Sequence, residues 1–185
     1  MGIVGVVSCA HHAWIDMSRY MGTALAKEIS DSVECRVHVP VDKKGLIAIM
    51  NESNYLIIHT PGAFDAFIDQ RCDNTYKKIV SLNTFKSFPS FSNLKLVIIT
   101  ACSCAVGENE NNIACEFSKH IAKDGLVIAN RYDVYGGYID FGDKNNRNGW
   151  VAYQNGEIVI KENEIPPEIT MQDAFKIFLN YRKNI

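Results

Sequence analysis

The stretch Lys95-Leu96-Val97-Ile98-Ile99-Thr100-Ala101-Cys102 decides how this chain is read. Leu96, Val97, Ile98 and Ile99 leave no polar face, the pattern of a strand covered by helices on both sides, as in a parallel sheet. A second run of the same kind, Tyr55-Leu56-Ile57-Ile58, ends at His59. In an open α/β sheet, ligands bind beyond the carboxyl ends of the strands. His59 and Cys102 therefore stand at equivalent ends. On neighbouring strands about 4.8 Å apart, their imidazole and thiol would reach one substrate atom.

Outward from these two strands the chain alternates short β-branched runs with helical periodicity, which predicts parallel βαβ units rather than hairpins. Residues 3–8 read as a first strand, and 14–29 as a helix with Met17, Met21, Leu25 and Ile29 near one face. Residues 33–39 read as a second strand. Asp42 caps a short helix carrying Leu46, Ile49 and Met50. Residues 63–93 show no clear pattern. After the strand at 94–101, a polar loop at 107–111 leads to a helix over 112–123, with Ile113, Phe117, His120 and Ile121 on one face and Gly125 past its end. Residues 126–129 form a fifth strand.

The pattern then changes. A Gly/Tyr segment at 135–138 and a polar loop at 143–148 precede a hairpin of 150–154 and 157–160, turning at Asn155-Gly156, a pair suited to the positive φ of a tight hairpin turn. Thr170 and Asp173 form a capping box for a last helix with Met171, Ala174, Phe175, Phe178 and Tyr181 on one stripe. The expectation is one α/β domain over 1–185: a three-layer sandwich with a mostly parallel sheet flanked by helices. Its core covers about 3–135, and a C-terminal β-hairpin and helix follow at about 136–185.

Composition bounds the function. The 185 residues are 47% hydrophobic and 22% charged, enough apolar content for a full core without metal or disulfide staples. Nineteen basic against 21 acidic residues, with no Lys/Arg cluster, argue against a nucleic-acid partner. The apolar runs fall far short of the ~20 residues that span a bilayer, so no membrane segment is expected. The start Met1-Gly2-Ile3-Val4-Gly5-Val6-Val7 lacks the positive region of a secretory signal, which predicts a cytoplasmic protein. In a chain of this size the six cysteines read as reduced thiols.

A thiol and an imidazole at one sheet end suit nucleophilic catalysis. The thiolate attacks, and the imidazole takes the thiol proton and later protonates the leaving amine. An oxyanion hole needs backbone N–H donors from the turns after the two strands. Thr60 and Cys102 are the candidates, because Pro61 has no N–H. Cys104 is a spectator, a resolving thiol or an alternative nucleophile. Cys9, His11 and His12 follow the first strand at the same end of the sheet, but neither Cys-x2-Cys nor His-Glu-x-x-His spacing occurs, so no metal is expected. His11 and His12 are instead candidates for lining a cleft.

The strand ending in Ala101-Cys102, with His59 43 residues upstream, resembles the nucleophile strand of caspase-like cysteine peptidases. The caspase signature is Gln-Ala-Cys followed by Arg, Gln or Gly and then Gly, with a His about 50 residues earlier. The likeness extends over about residues 3–135 and takes in the self-processing cysteine peptidase domains of bacterial toxins. It implies a caspase-like sandwich that hydrolyses peptide bonds through a Cys102/His59 dyad, with the Thr60 backbone near the oxyanion. It also implies a peptide or protein substrate and no cofactor. Arg131 is the candidate for a preference for Asp, and Tyr132 for the cleft wall.

Three positions depart from the family pattern. His59 is followed by Thr60-Pro61-Gly62 rather than directly by Gly, Thr100 replaces the Gln, and Ser103-Cys104 replaces the Arg-Gly pair. These departures leave a second expectation open: an inactive caspase-like module that binds a partner through an edge strand or the aromatic surface of 132–141. A flavodoxin-like anion binder is a third. It is opposed by Ser8-Cys9-Ala10-His11, which stands where a Gly-rich phosphate loop would be needed. The oligomeric state is not fixed by these residues.

Overall fold

Strands whose successive side chains point to opposite faces bury both faces only if each face is covered, and the apolar runs of this chain are covered on both. A computed structural model describes every residue except Met1, Val41, Asn74, 137–139, Lys144 and Ile185. Gly137 and Tyr138 of the Gly/Tyr segment, and Lys144 of the polar loop, thus lie outside the described residues. The first half contains β1 (Ile3–Ser8), α1 (His12–Ile29), β2 (Glu34–His38), α2 (Lys43–Glu52), β3 (Tyr55–His59), β4 (Gly62–Ala63), β5 (Ala66–Gln70), β6 (Tyr76–Ser81), α3 (Leu82–Phe85) and β7 (Leu96–Ile99). There follow α4 (Ile113–Ser118), β8 (Leu126–Asn130), β9 (Val134–Gly136), β10 (Asp140–Asp143), β11 (Trp150–Gln154), β12 (Glu157–Ile160), β13 (Glu168–Thr170) and α5 (Met171–Lys183).

Seven strands form the central sheet in the order β12-β11-β8-β7-β3-β1-β2. The five from β8 to β2 are parallel, while β11 and β12 are antiparallel. The expected hairpin is therefore the outer part of the main sheet, not an appendage to it. Its turn residues take the positive φ that the Asn-Gly pair allows, 51° at Asn155 and 86° at Gly156.

On one face Val4, Val6, Ile57, Leu96, Ile98, Leu126 and Ile128 pack with residues of α1 and α5. On the other, Leu56, Ile58, Val97, Ile99, Val127 and Ala129 pack with residues of α2, α3 and α4. The result is a mostly parallel sheet between two helical layers. All four side chains of β7 are fully buried. Together they contribute roughly 6 to 12 kcal/mol of transfer free energy, an upper bound because a real unfolded chain is not fully extended. Helix α1 crosses close to the sheet because Gly22 has no side chain: a Cβ there would lie 2.4 Å from Cys35 Sγ and 2.5 Å from Val6 Cγ2.

Two expected helix caps form as read. Asp42 accepts a hydrogen bond from the Gly45 N–H at 3.0 Å, and Thr170 and Asp173 close a capping box on α5. Helix α4 is capped by Asn112 but stops at Ser118, short of the expected 123. Beyond it the Phe91 N–H donates to the His120 carbonyl at 2.6 Å and Ile121 bridges to Phe91, so the backbone is drawn out of the helix. The unclear stretch 63–93 forms the small antiparallel sheet β4-β5-β6 and α3. Phe85 stacks on Phe88 at 4.3 Å and meets Phe117 at 4.7 Å, which anchors this stretch to α4. Strands β9, β10 and β13 form a third sheet. Among the described residues no helix is long and apolar enough to cross a membrane.

Candidate functional site

The register of β3 against β7 builds the site. Ile57 pairs with Ile98 and Ile58 with Ile99, so His59 and Thr100 emerge side by side at the carboxyl end. Ile57 and Ile98 face α1, and two residues later His59 and Thr100 turn to the same face. There His59 Nδ1 lies 2.8 Å from Thr100 Oγ1. The Thr100 hydroxyl is also 3.2 Å from the Ile58 carbonyl, and the Thr100 N–H donates to that same oxygen at 3.0 Å.

His59 is only 5% exposed. The Trp14 ring of α1 stands 4.7 Å from the imidazole and the Phe141 ring of β10 at 6.2 Å, edge-on. Burial among these groups disfavours the imidazolium and holds the pKa of His59 down at about 4. At neutral pH the ring is uncharged. Its Nε2 is buried and has no hydrogen-bond partner among the described residues.

Cys102 follows β7 in a tight turn and is half-buried, its thiol donating to the Val134 carbonyl at 3.7 Å. Burial is the main reason its pKa is pushed above the ordinary thiol value, and the nearby Asp133 carboxylate pushes in the same direction. His59 and Cys102 both line one cavity of about 300 Å³. Ala13, Trp14 and Met17 of α1 form one wall, and Val134, Tyr135, Gly136 and Phe141 form the other. His59, Thr100 and Cys102 make the floor. Among the described residues no charged side chain lines this space.

The other expected site residues lie elsewhere. Thr60 is fully buried and outside the cavity lining. Cys104 is sealed in the core, its thiol directed at the Ala63 carbonyl at 3.5 Å, and burial raises its pKa well above the ordinary value. A Cβ on Gly62 would lie 2.8 Å from that sulfur, so Cys104 packs against the backbone of the turn after β3. His11 precedes α1 with Nδ1 buried, and His12 is exposed as the first residue of α1. Neither lines the cavity, whose α1 wall begins one residue later. Arg131 is bound to Glu110 at 2.8 Å, to the Ala105 carbonyl at 2.9 Å and to Glu162. Tyr132 lies beneath the Arg147 guanidinium, 3.7 Å from the ring centroid. Neither borders the cavity.

Thr100 is the residue that strand-by-strand reading passes over. Its signal is relational, because it appears only when the register of β3 and β7 is known. Trp14 and Met17 carry no motif and belong to the site by their place in the first turns of α1. Among the described residues no group of three or more His, Cys, Asp or Glu is placed to hold a metal ion.

No family model matches the chain. Nor does any curated protein sequence. Among solved structures, the crystal structure of Chaetomium thermophilum Raptor aligns at 12% identity with a TM-score of 0.40. That alignment covers 72% of this chain, and the chain spans 16% of the length of that protein.

Proposed function

We propose that this chain is a cysteine-dependent hydrolase of peptide bonds with a caspase-like arrangement, in which Cys102 is the nucleophile and His59 its general base. One observation carries the reading: His59, whose buried Nε2 has no hydrogen-bond partner among the described residues, and the half-buried Cys102 line the same cavity, at the carboxyl ends of adjacent parallel strands. Both groups rest neutral at pH 7, so attack and proton transfer are coupled. The Cys102 Sγ–C bond forms at the substrate carbonyl as the thiol proton passes to His59 Nε2. The imidazolium then gives that proton to the departing amine as the C–N bond breaks, leaving a thioester. Water adds to the thioester with His59 as base, releasing the acid and restoring the thiol. Of the two backbone donors for the oxyanion, the reading favours Cys102, since Thr60 is sealed off from the cavity.

Hydrolysis of a fluorogenic peptide library by the wild-type chain and by Cys102→Ala tests this. Loss on the order of 10^4-fold in the variant is expected, and retained turnover would exclude Cys102 as nucleophile. A second reading is an inactive binding module, favoured by the thiol's hydrogen bond to Val134 and the upward push of burial and Asp133. Alkylation by peptidyl chloromethyl ketones, which a substrate cleft delivers to its own nucleophile even when that thiol rests neutral, separates the two. A peptidase labels at Cys102 faster than at the exposed Cys72, and an inactive module labels first at Cys72.

A further inference from the structure

We infer that Thr100 is a positioning residue for His59, fixing the imidazole as the Nδ1–H tautomer so that the buried Nε2 keeps the free lone pair. The hydrogen-bond inventory carries this. Thr100 Oγ1 lies 2.8 Å from His59 Nδ1 and 3.2 Å from the Ile58 carbonyl. A carbonyl only accepts, so the single hydroxyl hydrogen goes to Ile58, whose second lone pair takes the Thr100 N–H at 3.0 Å. Thr100 Oγ1 must then accept, and His59 Nδ1 must carry the hydrogen.

The opposite arrangement is worse on two counts. With the hydroxyl turned towards Nδ1, the bond to Ile58 is lost and the ring hydrogen moves to Nε2. Nε2 is buried with no partner among the described residues, so its hydrogen would find no acceptor there. Buried unpaired N–H groups are rarer and more costly than unpaired acceptors. One arrangement makes two hydrogen bonds and leaves a lone pair free, whereas the other makes one and strands a hydrogen. Free imidazole side chains in water favour Nε2–H, so the Nδ1–H form here is imposed by the protein. Phe141 has no polar atom, and the Trp14 indole N–H makes no hydrogen bond to the ring, so neither neighbour sets the tautomer.

The kinetic arm of the test rests on the peptidase reading, and the spectroscopic arm does not. The intact chain is labelled with 15N-histidine, His59 is assigned by comparison with His59→Gln, and ring nitrogens are observed at pH 7 in wild type, Thr100→Ser and Thr100→Val. Wild type and Thr100→Ser should show the hydrogen on Nδ1. Thr100→Val, which keeps the shape and loses the hydroxyl, should move towards Nε2–H. It should also lower kcat of Cys102-dependent hydrolysis about 10- to 100-fold, the range typical of lost orienting partners, with KM little changed and Thr100→Ser restoring the rate. A wild-type ring with its hydrogen on Nε2, or a Thr100→Val ring still on Nδ1, overturns the assignment. If Thr100→Val fails to fold, the wild-type and Thr100→Ser spectra decide alone. Wild type without Cys102-dependent hydrolysis overturns the peptidase and leaves the tautomer result intact.

Discussion

Burying His59 as a neutral ring links folding to pH. Its ordinary pKa of 6.5 applies to the unfolded chain, whereas the folded value is about 4. Above 6.5 neither state is protonated. Between 6.5 and 4 the unfolded chain takes up a proton that the folded chain refuses, so stability falls as pH falls, by about 3 kcal/mol from this group. Below 4 both states are protonated and the contribution levels off. Urea midpoints at pH 7 and pH 4.5 should therefore diverge more for wild type than for His59→Leu; a variant with the same pH slope would contradict the burial argument. If His59 is the general base, hydrolysis should persist through that window and fall only as pH passes through about 4, where the folded ring takes up its proton. At this scale His59 stood out because it terminates an uninterrupted apolar run, and Cys102 because it follows a second run by three residues. Thr100 was visible only as a departure from a signature, since its partner is set by strand register.

At the scale of elements, the clearest liability is where α1 crosses the sheet. Gly22→Ala places a carbon within 2.5 Å of Val6 and Cys35, and the helix must lift to admit it. A loss of about 1 to 3 kcal/mol by chemical denaturation is expected, as for other overpacked cores; no loss would mean that α1 already has slack. Thr170→Ala removes half of the capping box on α5 and should cost about 1 kcal/mol, with helix content otherwise kept by circular dichroism. Caps were readable because their side chains bond within three residues. Strands β5 and β6 were not readable. Tyr76, Lys77 and Lys78 are exposed in succession on β6, and β5 buries Asp69, whose carboxylate accepts the Ala10 N–H at 3.0 Å. Neither strand shows clean alternation. Helix α4 looked longer than it is because the residues past Ser118 keep helical spacing while their backbone serves Phe91.

For the whole molecule, the hairpin that extends the sheet also ties down the loop after Cys102. Tyr153 of β11 donates to Glu110, Glu110 pairs with Arg131, and Arg131 holds the Ala105 carbonyl. Arg131 thus ties sheet to loop and lies outside the cavity lining. Arg131→Met should cost about 1 to 3 kcal/mol, because Glu110 loses its ion pair in a half-buried setting. The ratio of rates for aspartate-containing and neutral peptides should stay unchanged. A selective loss on aspartate peptides would restore Arg131 to the cleft. Parallel pairing could be anticipated from βαβ alternation, but the strand order and the merging of β11 with β8 could not, because antiparallel pairing leaves the same local pattern wherever the hairpin docks.

The chain has two tryptophans. Trp150 is fully buried, its indole N–H donating to the Pro167 carbonyl at 3.2 Å. Trp14 stands against the ring of His59 on the cavity wall. An imidazolium quenches indole emission far more strongly than a neutral imidazole, so the site contains its own optical reporter against an internal standard. Emission from Trp14 should dim as pH passes through about 4 and change colour when a ligand displaces water from the cavity, while Trp150 stays constant. Comparison with Trp14→Phe isolates that signal, and occupancy of the site could then be followed by light alone, before any substrate is known.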